Sequence, residues 1–342
     1  FFKMSNYQQK LIDYIKSNSK FIQPEHRKNE VLGFLQNPLN DLCISRPKSR
    51  LNWGIELPFD SNYVTYVWFD ALINYISAIG YGKDEVNFWK WWPATYHLIG
   101  KDILTTHCVY WPTILMSIGV VLPKSIFAHG WWLSGDSKMS KSIGNIINPM
   151  DLIDDYGVDP VRYYLMSEMV LGQDAKFTMD SFIKRYNSDL ANDFGNLLSR
   201  VSTLMQKNFD ESIPKTGDIT NTEEAIRLSA ETLVRKVEEK ITRMEVNNAI
   251  EDILQYVRSV NKYMEEKAPW KLVKVDKERA GTVLYTAGEA LRISAVLLSP
   301  VMPNRTENLL DALNAKGEDL NWGGLKSGSK LKAHKPLFPR IK

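Results

Sequence analysis

Three short apolar runs limit what this chain can fold into. They are Tyr63-Val64-Thr65-Tyr66-Val67-Trp68-Phe69 before Asp70, Thr95-Tyr96-His97-Leu98-Ile99 before Gly100-Lys101-Asp102, and Ser125-Ile126-Phe127-Ala128-His129 before Gly130. Helical patterns over residues 71–81 and from Ile103 through His107 to Tyr110 separate them. Strand alternating with helix predicts a parallel, doubly wound sheet, whose ligands sit at the carboxyl ends of strands. Asp70, Gly100-Lys101-Asp102 and His129-Gly130 all fall at or just after such ends. Upstream, residues 4–18 and 27–36 read as helices, 42–46 as a strand and 53–58 as a strand end.

From Asn148 the pattern changes to helices over residues 149–156 and 159–168, then a link over 177–182. After Ser188 the chain is almost wholly helical. Leu190, Phe194, Leu197, Val201 and Leu204 mark one long helix. Thr220-Asn221-Thr222-Glu223 is a capping box opening a second. A third ends at Pro269, a fourth covers 276–298 and a fifth 305–313, before an irregular tail over 317–342. The predicted organisation is an α/β part over 1–146, a joining region over 147–188 and an α-helical bundle over 189–342.

With 342 residues the chain holds two cores, and a net charge of +3 confines any nucleic-acid surface to a local patch. Cys43 and Cys108 suggest no disulfide framework, which fits a reducing compartment, the cytoplasm or an organelle matrix. No Cys or His spacing suits zinc, so neither zinc nor another protein-bound metal is expected. No apolar run reaches the length of a membrane span. The opening Phe1-Phe2-Lys3 reads as mid-protein sequence, so a fragment is expected.

Between Gly135 and Gly144 lies Lys138-Met139-Ser140-Lys141-Ser142, two lysines three apart in a loop with glycine at each end. Two ammonium groups so spaced can clamp a polyphosphate. This pentapeptide resembles the second signature of class I aminoacyl-tRNA synthetases. Together with Tyr66-Val67-Trp68-Phe69-Asp70-Ala71-Leu72-Ile73-Asn74-Tyr75, Gly100-Lys101-Asp102-Ile103 and His107, it makes nearly the whole chain resemble the methionyl-tRNA synthetases. Phe1 to Leu11 resembles the return from that family's inserted domain, and Ala268-Pro269-Trp270-Lys271 its anticodon-binding bundle.

The residues themselves allow both bland and functional readings. Trp68, Ala71, Leu72 and Tyr75 at a strand end and the following helix, with Ile103 and His107 on one helical face, make either plain core or an aromatic cavity suited to a thioether. His107 could bond the sulfur or hold a tyrosine that does, and Trp111 lies one turn further. The resemblance implies that these six residues line a methionine pocket. Gly100-Lys101-Asp102 is either an ordinary helix start or a site for ribose and phosphate. Gly130 would let adenine lie close to backbone, beside His129 and with Trp132 backbone groups at the base edge. Asp70 is a helix cap or a support for that floor. Asn196 and Arg200 lie four apart off the apolar stripe, and Trp270 follows a helix end. They are a solvated face with a core indole, or a surface for single-stranded bases. The resemblance implies that they read the anticodon.

The implied reaction joins methionine to ATP as an adenylate, then passes the aminoacyl group to tRNA(Met). Lys138 and Lys141 would act as the catalytic cations, with Mg²⁺ on the phosphates. The family's His-Ile-Gly-His type motif is not in this sequence, so this chain alone is expected to be inactive, its other half lying elsewhere or on a separate chain. Two alternatives stand beside this reading. One is a class I synthetase for leucine, isoleucine, valine or cysteine, the other a non-catalytic tRNA-binding module. A strand followed by His-x-Gly-His upstream of Phe1 would discriminate.

Overall fold

A computed structural model describes residues 1–139, 144–317 and 319–341. It forms two compact units: Phe1–Trp131 with Gly172–Asp174, and Trp132–Leu171 with Ala175–Lys342.

The first unit begins with α1 (Gln8–Ser17), β1 (Ile22–Gln23) and α2 (Glu25–Phe34). A small antiparallel sheet follows, with β2 (Ser45–Pro47) and β3 (Glu56–Leu57) flanking β4 (Asp60–Thr65). Then come α3 (Val67–Ser77), α4 (Glu85–Trp91), β5 (Tyr96–Gly100), α5 (Trp111–Ser117) and β6 (Ser125–His129). The parallel sheet has the order β1-β6-β5, with partners running from Tyr96↔Ser125 to Gly100↔His129. β6 is the central strand, and Ile126, Phe127 and Ala128 are all buried, as a strand covered on both faces requires.

Two expectations are corrected. The run over residues 63–69 is not a strand of the parallel sheet: β4 stops at Thr65 and pairs antiparallel. Val67, Trp68, Phe69 and Asp70 already belong to α3, so Asp70 sits in a first helical turn. The buried pair Leu72 and Ile76, four apart, explains why helical spacing overrides the β-branched composition here. Conversely, β1 completes the parallel sheet although its two residues carry no periodic signal. The helix through His107 is also irregular, with a 3₁₀ turn over Lys101–Ile103 and a π-type turn over Thr106–Tyr110 before α5.

The second unit opens with β7 (Trp132–Ser134) and β8 (Ser137–Lys138), a hairpin turning at Gly135, whose φ is +59°. The helices α6 (Pro149–Tyr156) and α7 (Val158–Glu168) lead to β9 (Ala175–Phe177), which pairs parallel with β7. The bundle follows as α8 (Met179–Arg185), a π-type turn over Tyr186–Gly195, α9 (Asn196–Asn208), α10 (Asn221–Thr242), α11 (Val246–Lys267), α12 (Pro269–Leu272), α13 (Lys277–Leu298) and α14 (Pro303–Ala312). The capping box at Thr220 and Glu223 forms as expected.

The tail after α14 has no regular helix or strand, yet it is anchored. Glu289 is wholly buried on α13 and accepts from the backbone N–H groups of Gly323, Gly324 and Leu325 at 2.8–2.9 Å. Arg292, one turn on, donates to Glu289 at 2.6 Å and to the carbonyls of Asp319 and Asn321. Removing one member of a buried ion pair strands the other charge. Glu289→Ala should therefore cost about 3–5 kcal/mol, read as a lower urea midpoint, with early proteolysis of the tail.

Candidate active site

On α3, Trp68, Ala71, Leu72 and Tyr75 are spaced three or four apart and share one face. Leu72 is buried in the unit's core, Trp68 is half-buried, and Ala71 and Tyr75 reach the surface. His107 meets this face from the π-type turn. Its Nδ1 lies 3.1 Å from the Ile103 carbonyl, which can only accept, so Nδ1 carries the proton. That leaves Nε2 to accept from the Tyr75 hydroxyl at 3.0 Å. The Trp68 ring stands edge-on to His107, with centroids 6.3 Å apart. Burial pushes the His107 pKa down and the Tyr75 pKa up, which keeps the imidazole a neutral acceptor and the phenol a donor. Trp68, Tyr75, Ile103 and His107 are thus brought together.

Sequence reasoning passed over His97. β5 alternates, with His97 and Ile99 inward and Leu98 57% exposed. His97 Nε2 accepts from the Trp111 indole N–H at 3.2 Å, and its ring lies 4.3 Å from that of Tyr75. Trp92 packs beside it and donates to the Val121 carbonyl at 2.7 Å. A lone histidine on the inward register of an apolar strand was the available signal.

The in-register ends of β5 and β6 set Gly100 beside His129. A Cβ on Gly100 would come within 2.6 Å of the Asp102 carboxylate, which folds back over it. Asp102 accepts from the Trp131 indole N–H at 3.2 Å, and His129 Nδ1–H donates to the Gly130 carbonyl at 2.7 Å. Asp174, unforeseen in the sequence, accepts from Lys101 Nζ at 2.7 Å and from the Trp131 amide at 2.9 Å. Those two donors, Lys101 first, hold its carboxyl below the usual range. The Lys101 ammonium also lies 4.2 Å over the Trp131 ring. Gly130 is required by the fold itself. A Cβ there would lie 2.0 Å from the Gln173 carbonyl oxygen, so its close approach is to the chain's own backbone.

In the second unit, Trp132 is half-buried against Tyr164, beside Phe177 and Phe182. Lys138 is placed by its backbone in β8, opposite Leu133. Lys141, with Ser140, Ser142 and Ile143, lies outside the described residues. On the bundle, Asn196 is exposed at the start of α9 and Arg200 follows one turn later. The Arg200 guanidinium sits 5.0 Å over the Trp270 ring and pairs with Glu265 at 2.8 Å. Arg200 and Trp270 are thus in contact. Among the described residues, no group of three or more His, Cys, Asp or Glu is placed to hold a metal, and no helix is long and apolar enough to cross a membrane.

The family model for class I tRNA synthetases (M) matches residues 1–202, well over half of the chain. The chain belongs to the methionyl class I tRNA synthetases. A second model, the anticodon binding domain of methionyl tRNA ligase, matches residues 213–341 of this synthetase chain. It is 44% identical to a methionine–tRNA ligase of Caldanaerobacter subterraneus, over all of this chain and 54% of the relative. It is also 41% identical to that of Rickettsia typhi, over all of this chain and 69% of the relative. The chain thus spans about half the length of several curated relatives it matches. The crystal structure of Mycobacterium tuberculosis methionyl-tRNA synthetase bound by methionyl-adenylate superposes with a TM-score of 0.94 at 38% identity, covering 99% of this chain and 68% of that one.

Desolvation, and then the neighbouring His107, lower the pKa of His97 in this synthetase chain to about 4. Unfolded, the same imidazole titrates near 6.5, so between these values only the unfolded state takes up the proton. Stability should therefore fall by about 3 kcal/mol as pH drops from about 6.5 to about 4. Denaturant titration across that range checks this, with His97→Gln removing His97's share of the slope.

Proposed function

We propose that the full-length protein activates methionine with ATP and transfers it to tRNA(Met). A methionine carboxylate oxygen attacks the α-phosphorus, the bond to the pyrophosphate oxygen breaks, and pyrophosphate leaves. A terminal adenosine hydroxyl then attacks the carbonyl carbon of the adenylate and releases AMP. The observation that carries the methionine reading is the Tyr75 hydroxyl on neutral His107 Nε2, with Trp68 and Ile103 beside them. An apolar aromatic surface with one oriented phenol suits a thioether, whose sulfur packs on ring edges and accepts only weakly. Ala71 and Leu72 complete the face of α3.

The nucleotide is assigned to the level ends of β5 and β6. Gly100 and Asp102 are offered to the ribose, His129 and the Gly130 and Trp132 backbones to the adenine, and Lys101 to the phosphates after exchange from Asp174. Lys138 and Lys141 supply charge at the pentacoordinate phosphorus, and Mg²⁺ arrives on the nucleotide as part of the substrate. No step is assigned to a protein-bound metal. The division at residues 146 and 188 separates this catalytic part from a joining region and from the bundle that meets the anticodon. Asn196, Arg200 and Trp270 are the anticodon readers. The remaining half of the active site, upstream or on a separate chain, is required for adenylation.

Methionine-dependent pyrophosphate exchange by the full-length protein tests the reading, and its absence would sink it. Lys141→Ala should lower the exchange rate at least about a hundredfold while methionine KM stays within about threefold. Trp270→Ala should weaken tRNA(Met) by the about 1–3 kcal/mol of a lost stacking contact, seen in aminoacylation KM, and leave pyrophosphate exchange unchanged.

A further inference from the structure

We infer that His97 is a positioning residue for the thioether end of methionine, acting through Tyr75; this rests on the methionine reading above. His97 touches Tyr75 ring to ring, with centroids 4.3 Å apart, and is fixed on its other side by the Trp111 indole N–H at 3.2 Å. Trp111 is fully buried and Trp92 nearly so, and both rings pack on His97, so the imidazole has little room to turn. Tyr75 differs: 39% of it is exposed, and its hydroxyl is hydrogen-bonded to His107. A half-exposed phenol bonded at its hydroxyl still swings about χ1 and χ2 unless its ring rests on something rigid. His97 is the nearest such support, its ring closer to Tyr75 than those of His107 at 5.8 Å and Trp111 at 5.9 Å.

The consequence is a relay without proton movement. Trp111 N–H donates to His97 Nε2, the His97 face sets the plane of Tyr75, and Tyr75 O–H donates to His107 Nε2. His107 in turn donates to the Ile103 carbonyl, which fixes its tautomer. Because Tyr75 spends its proton on His107, its oxygen is left with lone pairs only. Such a surface prefers a polarisable sulfur to a group needing a donor. His97 therefore acts on how well methionine is held, with no part in charge development at phosphorus.

The test uses the full-length protein with His97→Ala, His97→Phe and His97→Gln. Alanine removes both the ring and the acceptor, phenylalanine keeps the ring but leaves the Trp111 N–H unpaired, and glutamine supplies a carbonyl oxygen for it. In pyrophosphate exchange, His97→Ala should raise methionine KM about tenfold or more, the cost of ordering a released tyrosine on binding, with kcat and the KM for ATP within about twofold. His97→Phe, which keeps a ring against Tyr75, should hold methionine KM to within about threefold, and His97→Gln, which restores only the acceptor for Trp111, should fall between it and His97→Ala. Methionine-induced quenching of tryptophan fluorescence gives the same ordering by equilibrium binding and does not need turnover. Unchanged methionine KM in all three variants would overturn the proposal. So would parallel losses in kcat, ATP KM and methionine KM, because that is the signature of general unfolding. Should the unmutated protein show no methionine-dependent exchange, the functional reading itself fails; normal exchange with indifferent His97 variants refutes only this inference.

Discussion

The parallel pairing of β5 with β6, in register to their last residues, is the constraint on which the first unit's site rests. Five consecutive partners lock the two strands, so both end level and Gly100 lies beside His129. Side chains alternate along a strand, and a one-residue slip would turn every one of them to the other face. His97 would leave the aromatic cluster, Ile99 would meet water, and Asp102 would no longer face Trp131. β6 resists such a slip because it is buried along nearly its whole length, between β1 on one side and β5 on the other.

That register also explains how one short strand serves two chemistries. His97 and Gly100 are three residues apart, about 10 Å along an extended chain. The first faces Tyr75, Trp92 and Trp111; the second opens the turn where Asp102, Lys101 and Asp174 meet Trp131. The aromatic group and the charged group are therefore fixed at a set distance by backbone hydrogen bonds, independently of the loops around them. Rigid elements hold such geometry better than loops do. Gly130 adds to this by letting the 172–174 segment seat directly on the end of β6, which brings Asp174 to Lys101.

β5 and β6 were legible because each is a five-residue apolar run bounded by polar turns, and the helical bundle because its stripes and caps recur over twenty residues. β4 and α3 were misdivided because aromatic and β-branched residues continue across their boundary, and only the burial of Leu72 and Ile76 shows which period prevails. β1 has no signal of its own and exists as a strand because Ile22 and Gln23 find partners on β6. Asp174 lies 43 residues from Trp131 and 73 from Lys101, a juxtaposition that no local pattern encodes. Motif resemblance supplied the grouping of Trp68, Tyr75 and His107. What it could not supply was the direction of each hydrogen bond, which follows from a carbonyl's inability to donate.

The contact between Arg200 and Trp270 depends on a backbone feature far from either strand. Ala268 ends α11 at φ +44°, a left-handed conformation that costs a residue with a Cβ about 1 kcal/mol, and Pro269 then starts α12. The chain turns there, and the Trp270 indole lies under the Arg200 guanidinium. Glu265 also pairs with Arg200, but it is 63% exposed, so in water that pair is worth less than about 1 kcal/mol and does not lock the arginine. The guanidinium 5.0 Å over the indole is held there by cation–π attraction, and Asn196 lies one helical turn away on α9.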